Sequence, residues 1–307
     1  MNHAIDVVTV GSLFVELTPT IPGETLATAR DYMLVAGGAA ANVAFALARL
    51  GVRVQFITAV GDDEFGTFAI NALVEFGVDT TGVRRVPEQL TPVSFSAVDQ
   101  QGGKVFRFYR FPGHSTPMQA LVPDDFSAIT TGRVFDFSEG SLREPTLRPL
   151  VLAAARSARA NGVPVIYAVN LRRDSWHLPD EEIRRVECEA IELADIVVLN
   201  ADELAFITGS TGNAGLRSLQ ARGPQVVVMT RGGEDTIVVR VGERCTEIAP
   251  YRVSVVYDVG AGDTFHAGLV AAEIDREQVG VVRGRERHRI GNHERPLDAH
   301  ALGAGDR

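Results

Sequence analysis

The sequence predicts an α/β/α three-layer sandwich built on a mainly parallel sheet, with a small separate β-sheet lying over it as a lid. Three observations carry that prediction. Along most of the chain, short wholly apolar runs alternate with amphipathic helical stripes, the pattern of strands covered on both faces. Near residues 12–36 and 90–112 the pattern changes to apolar residues at every second position, as in strands with one wetter face. Glycine-rich turns fall where apolar runs give way to helices, and in parallel sheets that is the edge where ligands bind.

The elements follow in order. Residues 5–10 form an apolar run ending at Gly11, and residues 14–18 alternate until Pro19 stops them. After residues 34–36 comes Gly37-Gly38, and Val43, Leu47 and Leu50 then keep a helical stripe that Gly51 closes. Residues 52–60 read as a buried strand; Phe65, Ala69, Ala72 and Phe76 mark a second helix, closed by Gly77. Residues 93–98 and 104–109 alternate and are joined by a loop of hairpin composition. With residues 12–18 and 31–36 they predict a small antiparallel sheet able to cover a cleft. Beyond residue 130, strands are expected at 133–138, 163–169, 196–199 and 225–229, and helices at 145–161, 180–194, 202–207 and 213–222. Residues 236–241 and 245–248 read as further strands. No internal repeat or low-complexity linker divides the chain, so residues 1–274 are expected to be one domain.

Composition narrows the function. The 307 residues are 45% hydrophobic and 22% charged, as in globular proteins in water. A net charge of -9 argues against a nucleic-acid partner, although a local cradle of backbone N–H groups can hold a nucleotide on an acidic protein. Cys188 and Cys245 are too few for a disulfide framework and lack metal-ligand spacing, which fits a reducing cytoplasm. No basic leader opens the chain and no apolar run reaches the length of a membrane span, so a cytoplasmic protein without a membrane partner is expected.

The chemistry gathers at the predicted strand ends. Val255-Val256 leads through Gly260-Ala261-Gly262 to Asp263 and a helix beginning Thr264-Phe265-His266-Ala267-Gly268. The first N–H groups of a helix have no partner within it and carry the positive end of its dipole, so an anion is favoured there. A carboxylate beside such a cradle is suited to taking a proton, and the pair is what phosphoryl transfer to a hydroxyl needs. Taken alone, Asp263 serves equally well as a cap and the glycines as a turn. Gly37-Gly38 lets a ligand approach the backbone, and the Asn42 amide can donate to and accept from a sugar hydroxyl. Glu16 offers an acceptor on the lid, and Arg172 in Asn170-Leu171-Arg172 can clamp an anion or form a surface ion pair. Asn200 and Glu203 share a face at a helix start, where they could hold magnesium through water or simply cap the helix. Thr230-Arg231-Gly232-Gly233 makes a turn against which adenosine phosphates could lie.

The order Gly37-Gly38…Asn42, Asn200-x-x-Glu203 and Gly260-Ala261-Gly262-Asp263, with a hairpin lid between, resembles the ribokinase/pfkB carbohydrate kinase family over roughly residues 4–274. The resemblance implies a ribokinase-like fold with ATP and Mg²⁺ as cofactors. It makes Asp263 the base, the Gly260, Ala261 and Gly262 amides an anion hole, and Glu16, Gly38 and Asn42 sugar contacts. It has Asn200 and Glu203 organise magnesium and phosphate. Asn170-Leu171-Arg172-Arg173-Asp174-Ser175-Trp176 resembles a stretch of bacterial fructokinases and 2-keto-3-deoxygluconate kinases, and residues 106–110 resemble their lid segment, adding Tyr109 and Arg172 as substrate contacts. Thr230 and Gly232, with Asn200, Gly260 and Gly262, would line the ATP site. Fructose is the first expected substrate and 2-keto-3-deoxygluconate the second; a catalytically silent sugar- or nucleotide-binding protein is the reading of another class. Lids of this family often pair between subunits, which implies a homodimer.

The chain departs from the family in three places. Ala168 stands where the related stretch has Asp, and Tyr257-Asp258 replaces the usual Asp-Thr before the glycines. Residues 275–307 show no apolar stripe and hold His288, His293 and His300 among many arginines, whereas family members continue with Ala- and Leu-rich helices. A frameshifted or replaced tail is one reading; a divergent, solvated terminus is the plainer one. A metal site at His288 and His293 has no carboxylate pattern to support it.

Overall fold

The computed structural model describes residues 5–98, 104–109, 116–232, 237–242, 244–249 and 260–278. The first half runs β1 (Val7–Val10), β2 (Phe14–Pro19), β3 (Tyr32–Gly37), α1 (Ala39–Arg49), β4 (Val54–Gly61), α2 (Glu64–Glu75), β5 (Val83–Val86), β6 (Val93–Val98) and β7 (Lys104–Tyr109). The second half runs β8 (Val134–Ser138), α3 (Arg148–Ala160), β9 (Val165–Ala168), α4 (Asp180–Leu193), β10 (Ile196–Asn200), α5 (Ala201–Thr208), α6 (Asn213–Gln220), β11 (Val226–Thr230), β12 (Ile237–Val241), β13 (Arg244–Ile248) and α7 (Ala261–Gln278).

The expected three layers are present. The main sheet has the order β13-β12-β11-β10-β9-β8-β1-β4-β5, parallel from β11 to β5 and antiparallel at β12 and β13. Alternate residues of each strand feed different cores. Val8, Val10, Phe135 and Phe137 pack with α3, α4, α5 and α6 on one face. Val7, Val54, Phe56 and Val134 pack with α1, α2 and α7 on the other. Asp136 lies between Phe135 and Phe137, so it points to the α1 and α7 face. Among the described residues no helix is long and apolar enough to cross a membrane.

Four details differ from the expectation. The lid sheet, β3-β2-β6-β7, is mixed rather than antiparallel, because β2 and β6 pair in parallel with Glu16 opposite Ser94. The strand β5 was not expected; its Val-Arg-Arg-Val sequence sits at a sheet edge, where polar side chains reach water. Two 3-10 segments, Pro117–Ala120 and Pro123–Thr130, fill a stretch that shows no clear period. In α2 the buried residues are Gly66, Ala69 and Leu73, while Phe65 and Phe76 remain 38% and 41% exposed. Gly66 explains that rotation, since a Cβ there would come within 2.2 Å of the Gly61 carbonyl oxygen. The loop at 99–103, Tyr257-Asp258 and the tail from residue 279 lie outside the described residues.

One buried pair in the larger core has a pH signature. Tyr167 on β9 donates its hydroxyl to Glu187 Oε2 of α4 at 2.7 Å, and both residues are fully buried. Glu187 Oε1 has no hydrogen-bond partner among the described residues, and burial pushes the carboxyl well above its ordinary value, with Glu139 and Glu203 adding repulsion. The folded chain therefore keeps the proton that the unfolded chain releases above a pH of about 4.3. Stability falls as pH rises through that window, by up to about 1.4 kcal/mol per pH unit from this group. Replacing Glu187 with Gln keeps an acceptor for Tyr167 and removes the titration. Urea midpoints measured from pH 5 to 8 should fall more steeply for the wild type than for Glu187→Gln; parallel slopes would contradict the assignment.

Candidate active site

The carboxyl ends of β8, β9, β10 and β11 and the first turns of α1 and α7 surround a cleft lined by Ser138, Ala168, Asn170, Asn200, Thr230 and Asp263, among others. Two glycines shape the α1 side. Gly38 has φ 124, and a Cβ there would lie 2.1 Å from the Ser12 carbonyl oxygen, so no other residue fits without moving the chain. A Cβ on Gly37 would lie 2.9 Å from the Phe14 ring and 3.2 Å from Glu16 Oε2. This close approach brings the lid strand β2 against the start of α1. Glu16 faces the same way, with Oε1 accepting the Ser96 hydroxyl at 2.5 Å, and Phe14 packs on Phe106 and Phe108 on that face.

Helix α7 begins directly after Gly260, which has φ 82. The first N–H groups of a helix have no partner within it, Gly262 and Asp263 of this turn line the cleft, and a Cβ on Gly262 would meet nothing within 4 Å. Asp263 sits in this turn, partly buried. Its Oδ2 accepts the Asn42 amide at 2.8 Å, and its Oδ1 lies 3.4 Å from the Asn170 amide. Burial raises its carboxyl above the ordinary value, and the Asn42 hydrogen bond with the nearby Arg172 and His266 partly offsets the rise. The net result is a carboxylate that binds a proton more readily than an exposed aspartate. One turn on, His266 Nε2 meets Asp136 Oδ1 at 2.5 Å, and Asp136 Oδ2 accepts the Thr9 hydroxyl at 2.9 Å. Farther along the helix, Arg133 Nη2 donates to the Ile274 carbonyl at 2.7 Å and pairs with Asp6 at 3.3 Å.

Asn200 and Glu203 form a capping box at the start of α5. Glu203 N–H donates to Asn200 Oδ1 at 2.9 Å, and Asn200 N–H to Glu203 Oε2 at 2.8 Å. Glu203 Oε1 accepts from Leu171 N–H at 2.8 Å, so this side chain also ties the β9 connection to α5. Burial raises the Glu203 carboxyl, offset by those hydrogen bonds and by Arg172. Thr230 ends β11 at the cleft, and Gly232 turns the chain beyond it with φ 60. Among the described residues no group of three or more His, Cys, Asp or Glu could hold a metal by itself.

The geometry thus brings Gly38, Asn42, Asn200, Glu203, Thr230, Gly260, Gly262 and Asp263 to one edge of the sheet. Arg172 is exposed at the rim, within electrostatic reach of Asp263. Tyr109 is not brought to the Glu16 face. It is 68% exposed and packs on Phe95, whose side chain, like that of Leu17, lies on the other side of the lid.

Three residues that matter here were not found in the sequence. Asp136 and His266 are two of them; a lone acid in the apolar run Val-Phe-Asp-Phe was the available signal for the first, and its spacing of three from Asp263 for the second. Glu139 is the other. It is buried, accepts from Trp176 Nε1 and has Arg143 Nε at 3.5 Å; burial raises its carboxyl, and Arg143, Trp176 and Arg172 partly offset the rise. It fixes the segment that carries Arg172.

Comparison with known proteins shows the family. The pfkB family carbohydrate kinase profile matches residues 4–279. A fructokinase of Vibrio alginolyticus is 35% identical over 237 residues, covering 76% of this chain and 75% of that protein. The crystal structure of a PfkB protein from Polaromonas sp. JS666 superposes with a TM-score of 0.80 at 25% identity, covering 89% of this chain and 90% of that one. The fructokinase of Xylella fastidiosa with bound ATP superposes with a TM-score of 0.76 at 26% identity, covering 88% and 82%. From the glycine turn at the start of α1 to the Gly-Ala-Gly-Asp turn of α7, this chain belongs to the pfkB family of carbohydrate kinases.

Proposed function

We propose that this sugar kinase is a fructokinase, transferring the γ-phosphoryl group of ATP to a fructose hydroxyl with Asp263 as the base. The observation that carries the proposal is the Asp263 carboxylate itself, held between two amides at the N-terminus of an 18-residue helix and facing the cleft. The names of the Vibrio and Xylella relatives support fructose, and the ATP bound to the Xylella enzyme supports the phosphoryl donor.

The reaction needs little covalent work from the protein. The sugar enters between the lid and α1, where Glu16, the Gly38 backbone and Asn42 offer acceptors and donors for its hydroxyls. Asp263 takes the proton of the attacking hydroxyl as its oxygen bonds to the γ-phosphorus. The bond from that phosphorus to the β-phosphate oxygen breaks, and ADP leaves with the electron pair. The N–H groups of Gly260, Ala261 and Gly262 lie where charge grows on the transferred group, and a preorganised donor of this kind is worth about 10²–10³ in rate. Asn200, Thr230 and Gly232 line the nucleotide side, and Arg172 supplies a positive charge at the rim.

Magnesium fits this site only with the nucleotide. Each Glu203 oxygen accepts one backbone N–H and retains a lone pair for a water, so Asn200 and Glu203 can hold the ion indirectly. When bound, it would neutralise charge on the phosphates. A 2-keto-3-deoxygluconate kinase is the second reading, favoured by the exposed Arg172, which could bind a sugar-acid carboxylate. We further propose that residues 1–274 form the kinase domain, that it works in the cytoplasm and that it pairs through the lid as a homodimer.

Two outcomes follow. Purified protein with MgATP should phosphorylate fructose in preference to 2-keto-3-deoxygluconate, ribose and nucleosides; turnover of the sugar acid alone would move the assignment, and no turnover of any would leave a binding protein. Asp263→Asn should lower kcat at least about 10²-fold while calorimetry still detects sugar binding, and near-normal turnover would remove Asp263 from the role of base.

A further inference from the structure

We infer that Asn170 is a positioning residue for Asp263: the chain is pinned on both sides of Asn170, and the amide it presents orients the carboxylate toward the cleft. This rests on the reading of Asp263 as the base.

The pinning is visible in two backbone donors, one on each side. Val169 N–H donates to the Val198 carbonyl at 2.9 Å, which fixes the chain to β10. Leu171 N–H donates to Glu203 Oε1 at 2.8 Å, which fixes it to α5. Beyond them, the buried Glu139 carboxylate just past β8 takes the Trp176 indole N–H and so holds the far end of the same segment. Between these ties Asn170 is left at φ 38, in the left-handed region that non-glycine residues avoid. Such a conformation persists where the surroundings over-determine it, and it concentrates at functional sites.

Asn is among the residues that tolerate this region best, but glycine tolerates it without steric cost. A turn alone would be served at least as well by glycine. What Asn adds is the amide, and the amide lies 3.4 Å from Asp263 Oδ1 while Asn42 holds Oδ2 at 2.8 Å. With one donor on each oxygen, rotating the carboxylate loses a contact, so its remaining lone pairs keep a fixed direction. A separation of 3.4 Å is long, as catalytic hydrogen bonds often are before substrate binds. A neutral amide also orients the carboxylate without the strong loss of basicity that a cationic partner would cause. Among the described residues, the charged and titratable groups around Asp263 are Arg172 on the same connection, His266 on α7, Asp136 on β8 and Glu203 on α5, while α1 contributes the uncharged Asn42.

The test compares full-length Asn170→Gly, Asn170→Asp and Asp263→Asn with the wild type, reading MgATP-dependent phosphorylation of the accepted sugar together with thermal midpoints. Asn170→Gly relieves the strained φ, so its midpoint should equal or exceed that of the wild type. Its kcat should fall roughly 10–100-fold, the scale of a misplaced reacting group, with the sugar KM within about twofold. The acid limb of kcat/KM should move to higher pH, because the ionised carboxylate has lost a donor. Asn170→Asp, which also tolerates this backbone, places an anion beside the base and should lower kcat further. Wild-type kcat and an unmoved acid limb in either variant would overturn the inference, as would an activity loss explained by a lowered midpoint alone. The control separates the two readings. An inactive Asp263→Asn beside a fully active Asn170→Gly removes only the role of Asn170, whereas an active Asp263→Asn removes the base and this inference with it.

Discussion

The seating of the first turns of α7 on the carboxyl edge of the sheet is the constraint on which the cleft depends. In the proposed mechanism that helix supplies the anion cradle and the base, and each is useful only if the helix points at one place. Four kinds of contact hold it there. Ala267, Val270 and Ile274 are buried against the α1 side of the core, and full burial of Val and Ile contributes on the order of 1.5–3 kcal/mol each. His266 is tied through Asp136 to Thr9 on β1. Arg133 takes up the Ile274 carbonyl near the far end. Asp263 closes the arrangement against Asn42 and Asn170. Apolar burial gives most of the energy but no direction, and the polar ties give the register.

Burial and hydrogen bonding pull Asp263 in opposite directions. Partial desolvation favours the neutral carboxyl, while the Asn42 amide, Arg172 and His266 favour the ionised one. Desolvation is the larger influence, so the group remains a better proton acceptor than a solvated aspartate. An arginine paired directly with Asp263 would have reversed that balance. Using asparagines for the contacts resolves the conflict, because they fix the geometry at a small electrostatic cost. Nearby, burial raises Glu139 and Glu203 in the same way, and their hydrogen bonds are structural: Glu203 takes the Leu171 N–H and Glu139 the Trp176 indole N–H, at the two ends of the segment that carries Arg172.

Much of this was legible in the sequence, because strands, helices and turns are written locally. Runs such as Ile-Val-Val-Leu before Asn200 declare a buried strand, and Gly37-Gly38 and Gly260-Ala261-Gly262 declare close backbone approach. The site residues at strand ends followed from the parallel topology. What was missed is non-local. Asp136 and His266 are 130 residues apart, Trp176 is 37 from Glu139, and nothing in either local sequence names its partner. The face of the lid that carries Tyr109 could not be read without the register of β6 and β7, which sets it opposite Val93 and away from Glu16. The helix α2 turned its phenylalanines outward because a glycine lets it rest on the Gly61 carbonyl, a contact that a hydrophobic stripe does not encode.

The most direct measurement is a crystal structure of the Asp263→Asn protein with fructose, ATP and magnesium bound. The account predicts one sugar hydroxyl about 2.6–3.2 Å from the residue 263 side chain and in line with the γ-phosphorus, whose oxygens face the first N–H groups of α7. A sugar whose hydroxyls all lie beyond reach of residue 263, or a γ-phosphate bound away from that helix terminus, would contradict it.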